Sequence, residues 1–204
     1  MDIATLSYFL LASVLLTLAP GPDVMYLLAK SLADGARCGV ALAGGLASGV
    51  VVHTTLVILG VAALIQSSPL ALSVLKYGGA LYLIYLAWGA FHDNSELRLA
   101  SAGPSERLPA LYRRGVLMNV LNPKVLLFFL TFLPQFVSAD AENVGWQIAL
   151  LGFLFSAQAF LVFSFIALCA DRLRRVLLRK KGVGRILNIV QGVVLLLIAA
   201  LLLF

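Results

Sequence analysis

The sequence predicts an all-α integral membrane protein in which six transmembrane helices form two inverted three-helix repeats, with helices one and four broken. Three observations carry that expectation. Of the 204 residues, 62% are apolar and only 12% charged, against roughly 45–50% and about 25% in a soluble globular domain. The mean hydropathy of +1.03 exceeds what one water-soluble core can hide, because a chain this short leaves much of itself at the surface. Finally, 13 of the 15 Lys and Arg fall in every second connection between apolar runs, the pattern of cytoplasmic loops in a multi-pass protein.

The elements follow in order. Apolar runs cover about 3–28, 39–65, 69–91, 115–137, 145–170 and 184–204, each long enough to cross a hydrocarbon core of roughly 30 Å with some tilt. The first run lacks basic residues at its start and leads into Pro20-Gly21-Pro22-Asp23 instead of a small-residue cleavage site, so it reads as a retained span and not a signal peptide. The connections 30–38, 92–114 and 171–185 hold 13 of the 15 basic residues, while 66–68 and 138–144 hold none. Loops one, three and five are therefore expected in the cytoplasm and both termini outside. Tyr8 and Trp146 are placed as outer interface anchors, Trp88 and Tyr112 as inner ones.

The Ala/Ser/Gly/Pro-rich stretch 101–110 divides the chain into a first repeat, 1–100, and a second, 111–204, joined by a cytoplasmic linker. An odd number of spans per half forces the halves into opposite orientations. The net charge of +6 is dispersed between apolar runs, which excludes the continuous basic face of a nucleic-acid binder. The cluster from Arg172 to Lys181 reads as a topology anchor with anionic-lipid contacts. Cys38 and Cys169 are distant in sequence, with no ligand-spaced partner. No metal, bound cofactor or nucleotide-binding motif is implied.

Apart from loop residues, the ionisable groups within spans are Asp23, Lys76 and Lys124, and such groups are functional candidates by default because burying them in lipid is costly. Asp23 follows Pro22 in the first span and Lys124 follows Pro123 in the fourth. Both breaks lie about 14 Å from the inner boundary, counted at 1.5 Å per residue from Lys30 and Arg114. Paired discontinuous helices in opposed repeats point to a transporter's substrate site. Pro22 and Pro123 suit the first position of a new half-helix, with Gly21 and Asn122 as caps. Helix N-termini and Lys124 suit a carboxylate, and Asp23 suits an ammonium group or a proton, so the pattern fits a small zwitterion.

The alternatives are structural: simple kinks with their freed carbonyls satisfied by neighbours, and an Asp23–Lys124 ion pair that latches the halves. Lys76 suits either snorkelling or the site. His53 and Gln158 are second-rank candidates, as interhelical hydrogen-bond partners or proton relays. The small residues Gly44, Gly45, Ser48 and Gly49 suit close packing within the bundle or a homodimer.

Three segments, LAPGPDVMYLLAKSLADGARCGVALAGGLASG, LKYGGALYLIYLAWGAF and RRGVLMNVLNPKVLLFFLTFLPQFV, together resemble the LysE/RhtB family of bacterial amino-acid exporters. The resemblance covers nearly the whole chain. It implies a six-helix inner-membrane protein, not an enzyme, that exports amino acids or close derivatives in exchange for protons. It places the family's functional motifs on Gly21, Pro22 and Asp23, on Lys76 with the glycines that follow, and on Asn122, Pro123 and Lys124. Lys76 gains its site role from the resemblance alone. Two rivals are a non-transporting membrane assembly subunit docking through helix two, and a thiol-based intramembrane redox protein using Cys38 and Cys169.

Overall fold

The computed structural model describes residues 2–61, 69–93, 106–137, 143–179 and 183–203, and every regular element among them is helical. The expected connection 66–68, most of 138–144, the start of the 101–110 linker and Lys180 with Lys181 lie outside the described residues. Helix α1 (Ile3–Leu18) starts where the Asp2 carboxylate accepts the Thr5 N–H at 2.7 Å. It stops because Ala19 precedes Pro20 and is held out of the α region at ψ 111°. The chain runs extended through Gly21 and re-enters helix at Pro22 as α2 (Pro22–Asp34), bent 60° from α1.

Gly35, at φ +90°, is the whole turn between α2 and α3 (Ala36–Leu56), so the expected loop from Lys30 to Cys38 is mostly helix. Helix α3 runs into a π turn at Val57–Val61, and α4 covers Pro69–His92. The second half repeats the pattern. Helix α5 (Leu108–Val120) ends two residues before Asn122, and Pro123–Phe136 continues at a 51° bend. Within that segment α6 (Pro123–Leu127) gives way to a π turn and a 3₁₀ turn, Phe128–Phe132 and Leu133–Phe136. Pro134 accounts for the irregularity: it has no N–H for the Leu130 carbonyl and its ring crowds that carbonyl. The Thr131 hydroxyl and the Gln135 amide bond carbonyls of this stretch, Leu127 O at 2.7 Å and Thr131 O at 3.0 Å.

Helix α7 (Val144–Arg179) is longer than expected. At 36 residues it spans about 54 Å, so the backbone from Asp171 onward, taken from sequence as loop, projects as helix beyond the membrane. Helix α8 (Val183–Leu203) closes the chain. Among the described residues four helices are long and apolar enough to cross a membrane, and counting each of the two bent pairs as one span gives up to six. Leu81, Tyr85 and Trp88 on α4 and Phe153, Leu161 and Phe165 on α7 are exposed on outward faces, a surface suited to lipid.

Packing crosses between the halves. Helix α3 lies against α5 and α7, α7 against α1 and α2, and α4 against α8 and the irregular end of the second broken segment. The α3–α5 backbones touch: a Cβ on Gly45 would lie 2.0 Å from the Tyr112 carbonyl oxygen, and one on Gly115 would lie 2.4 Å from that of Leu42. The small-residue face of the second span is therefore used inside the chain.

Candidate functional site

The two helix breaks meet. Asp23, in the first turn of α2, and Lys124, in the first turn of α6, are 3% and 4% exposed, with Asp23 Oδ1 3.7 Å from Lys124 Nζ. Pro22 and Pro123 occupy the first turns of their half-helices as expected. Asn122 caps α6, its side-chain oxygen accepting the Lys124 backbone N–H at 3.0 Å. Gly21 occupies the N-cap of α2, and a Cβ there would lie 2.8 Å from Asp23 Oδ1 and 3.3 Å from Lys124 Nζ. Any larger residue would enter the space between the charges.

Lys124 does more than face Asp23. Because Pro20 has no N–H, the Leu16 carbonyl loses its helical partner, and Lys124 Nζ donates to it at 3.3 Å and to Ala19 O at 3.0 Å. The same logic operates at the second break, where Pro123 deprives Asn119 O. That carbonyl accepts from His53 Nε2 on α3 at 3.0 Å and from the Asn122 N–H at 2.9 Å. Gln158 on α7 donates to Thr17 Oγ1 at 2.9 Å and reaches Ser13 O at 3.4 Å, bracing the end of α1. His53 and Gln158 thus serve as interhelical hydrogen-bond partners, each supporting the broken helix of the opposite half.

Asp23 remains short of partners. Its distance to Lys124 is an ionic contact beyond hydrogen-bond reach, and Oδ1 has no hydrogen-bond donor among the described residues. Beside it lies a cavity lined by Leu16, Thr17, Asp23, Asn119, Lys124, Val125, Phe155 and Phe163. Its empty space totals about 220 Å³ but is narrow, with room for about one water molecule. Lys76 does not line this cavity. It falls on the inward stripe of α4 with Ala80, Leu83 and Ala87, half-buried, and it has no ion-pair or hydrogen-bond partner among the described residues.

Two side-chain clusters flank the site. Toward the start of α1, Phe9, Phe128, Phe129, Phe132, Phe136 and Phe155 pack as one aromatic cluster with ring centroids 4.8–6.2 Å apart. Toward the end of α2, Lys30 pairs with Asp34 at 2.6 Å and Glu106 at 3.8 Å, and Glu106 pairs with Arg114 at 3.1 Å. Arg114 also donates to the Tyr26 hydroxyl and stacks on its ring. These contacts join α2 to α5. Lys30, counted from sequence as a loop residue, is therefore a buried member of a charge network.

Sequence reasoning singled out the charged pair and its helix caps but missed the rest of the lining. Asn119 carried the available signal, a polar residue within a span one helical turn before the second break. Leu16, Val125, Phe155 and Phe163 carried none, because an apolar residue in a membrane span is unremarked until the fold turns it inward.

An all-helical, multi-pass bundle with a buried, oppositely charged pair at two helix breaks is the architecture of a membrane translocator. The chain belongs to the LysE type translocator family, whose model matches residues 14–204. It is 29% identical to a leucine efflux protein of Enterobacter sp. (strain 638) over 88% of this chain and 86% of the relative, and 28% identical to one from Klebsiella pneumoniae over 91% and 88%. An uncharacterized membrane protein of Vibrio cholerae is 32% identical over 84% of this chain and 83% of its own length. No solved structure matches the chain.

Proposed function

We propose that this protein is a secondary transporter of the bacterial inner membrane that exports an amino acid or close derivative from the cytoplasm in exchange for protons. The observation that carries this reading is the juxtaposition of Asp23 and Lys124, buried at the two breaks, with the Asp23 oxygen still open to a donor. A zwitterion satisfies both charges: its ammonium donates to Asp23, and its carboxylate draws Lys124 Nζ from the carbonyls of Leu16 and Ala19. The leucine efflux relatives and the apolar wall of Leu16, Val125, Phe155 and Phe163 favour an aliphatic side chain.

Asp23 is also the coupling group. A proton arriving from outside neutralises it and releases the ammonium, and loss of that proton to the cytoplasm restores affinity, which is the differential binding that exchange requires. The halves act as inverted repeats that rock about the site. The aromatic cluster opens it outward, and the Tyr26–Arg114 and Lys30–Glu106 contacts open it inward. Lys76 stands on the inward stripe of α4, placed to enter the site when the halves move.

The test is export by cells loaded with dipeptides. Wild-type protein is expected to lower cytoplasmic levels of selected amino acids and release them against a gradient, while Asp23→Asn reaches the membrane but accumulates nothing outside. Uphill export by Asp23→Asn would overturn the coupling role. Purified protein that moves no amino acid in liposomes under a proton gradient would overturn the reading as a whole.

A further inference from the structure

Asn119 is the residue of the cavity that the charged pair does not explain. It is 2% exposed, it lines the cavity with Asp23 and Lys124, and its side-chain oxygen has no hydrogen-bond donor among the described residues. A buried amide oxygen without a hydrogen bond destabilises the fold that contains it, because the water it lost has not been replaced.

Its position is nevertheless tightly held. The backbone carbonyl of Asn119 is fixed by His53 Nε2 and the Asn122 N–H. Its side chain packs on Gly49, where a Cβ would lie 2.7 Å from Asn119 Cβ and 2.9 Å from Oδ1. Glycine at position 49 therefore makes the room that the amide occupies. An unpaired polar group on a braced backbone is what a preorganised ligand contact requires.

We propose that Asn119 is a substrate-binding residue whose side-chain oxygen accepts a second hydrogen bond from the ammonium group that Asp23 holds; this rests on the amino-acid reading above. The ammonium carries three N–H donors, and one carboxylate oxygen does not satisfy all three. Two oxygens from opposite halves, Asp23 on α2 and Asn119 on α5, distinguish a primary ammonium from the hydroxyl of an α-hydroxy acid. They also couple occupancy to the approach of the halves. His53 acts here as a positioning residue through the Asn119 carbonyl.

The experiment uses the full chain purified in detergent. Thermal stabilisation by each of the twenty L-amino acids identifies the tightest ligand, and its affinity is then compared with that of its own α-hydroxy analogue, in wild type and in Asn119→Leu. The variant is expected to melt at or above the wild-type temperature, since the amide oxygen accepts no hydrogen bond among the described residues. It should bind the amino acid about tenfold more weakly, the scale of one hydrogen bond to a charged group. Its preference for amino acid over hydroxy acid should shrink by the same factor. Unchanged affinity, or an equal loss for both ligands, would overturn the assignment. Should the leucine not fit, Asn119→Ala adds no volume beside Gly49 and gives the same comparison. Failure of both variants to fold would also overturn it, by showing that the amide serves the fold. If wild type binds none of the amino acids, it is the transport reading itself that fails, and this inference falls with it.

Discussion

Gly21 and Lys124 show how little freedom the breaks allow at the level of single side chains. A Cβ on Gly21 would meet the Asp23 carboxylate at 2.8 Å and would lie 3.3 Å from Lys124 Nζ, so the carboxylate has to shift to admit it. Gly21→Ala is expected to cost about 1–3 kcal/mol of stability through overpacking and to abolish transport in protein that still folds. Thermal unfolding and counterflow in liposomes measure the two effects separately. Lys124→Met removes the donor to two carbonyls and, among the described residues, the only counter-charge within ion-pair distance of Asp23. Breaking a buried pair costs about 3–5 kcal/mol, and Asp23→Asn in the same chain should recover part of that stability without recovering transport. Transport by the double variant would show that the pair is only a latch. At this scale Asp23, Lys124, Gly21 and Asn122 were legible because charge, proline and caps are local signals. The acceptors that Lys124 bonds were not, because Leu16 and Ala19 lie more than 100 residues away in sequence.

Each broken helix is explained by one missing N–H. Proline at position 20 strips the Leu16 carbonyl and proline at 123 strips that of Asn119, and in both cases a side chain from the opposite half supplies the bond. The simple-kink alternative and the site alternative therefore describe the same atoms: the freed carbonyls are satisfied by a neighbour, and for the first break that neighbour is the site lysine. Close helix contact is the other feature decided between elements. Because the Cβ of any residue at 45 would lie 2.0 Å from the backbone oxygen of Tyr112, and backbone cannot move aside as a side chain can, Gly45→Leu is expected to leave little folded monodisperse protein. Size-exclusion chromatography of a fluorescent fusion measures this, and a normal profile would refute the tight α3–α5 contact. The glycine pattern was visible in the sequence, but whether it faced α5 or a second copy was not, since spacing along one helix does not name the surface that it meets.

For the whole molecule, the expected orientation follows from the basic loops, and the protein's own charges provide the test. Single cysteines placed beside each terminus in a Cys-free background should react with a membrane-impermeant thiol reagent added outside intact cells, whereas one in the 101–110 linker should react only after lysis. The reverse pattern would invert the topology and with it the direction assigned to each closure. The charge network of Lys30, Asp34, Glu106 and Arg114 and the aromatic cluster around Phe128 enclose the site from opposite ends. Neither closure was legible beforehand, because Lys30 and Arg114 read as ordinary topology charges and phenylalanines as ordinary span residues.

The sequence by itself determined the class of solvent, the helical spans, the two breaks and the charges at them, because burying apolar runs, satisfying backbone groups in lipid and the chemistry of proline act over a few neighbouring residues. Tertiary structure decided which carbonyls Lys124 caps, that His53 and Gln158 brace the opposite half, that Asn119 borders the cavity and that Lys76 stands outside it. Those facts depend on how helices are rotated and crossed. Rotation and crossing are set by the sum of side-chain contacts between segments distant in sequence, a sum that no local pattern records.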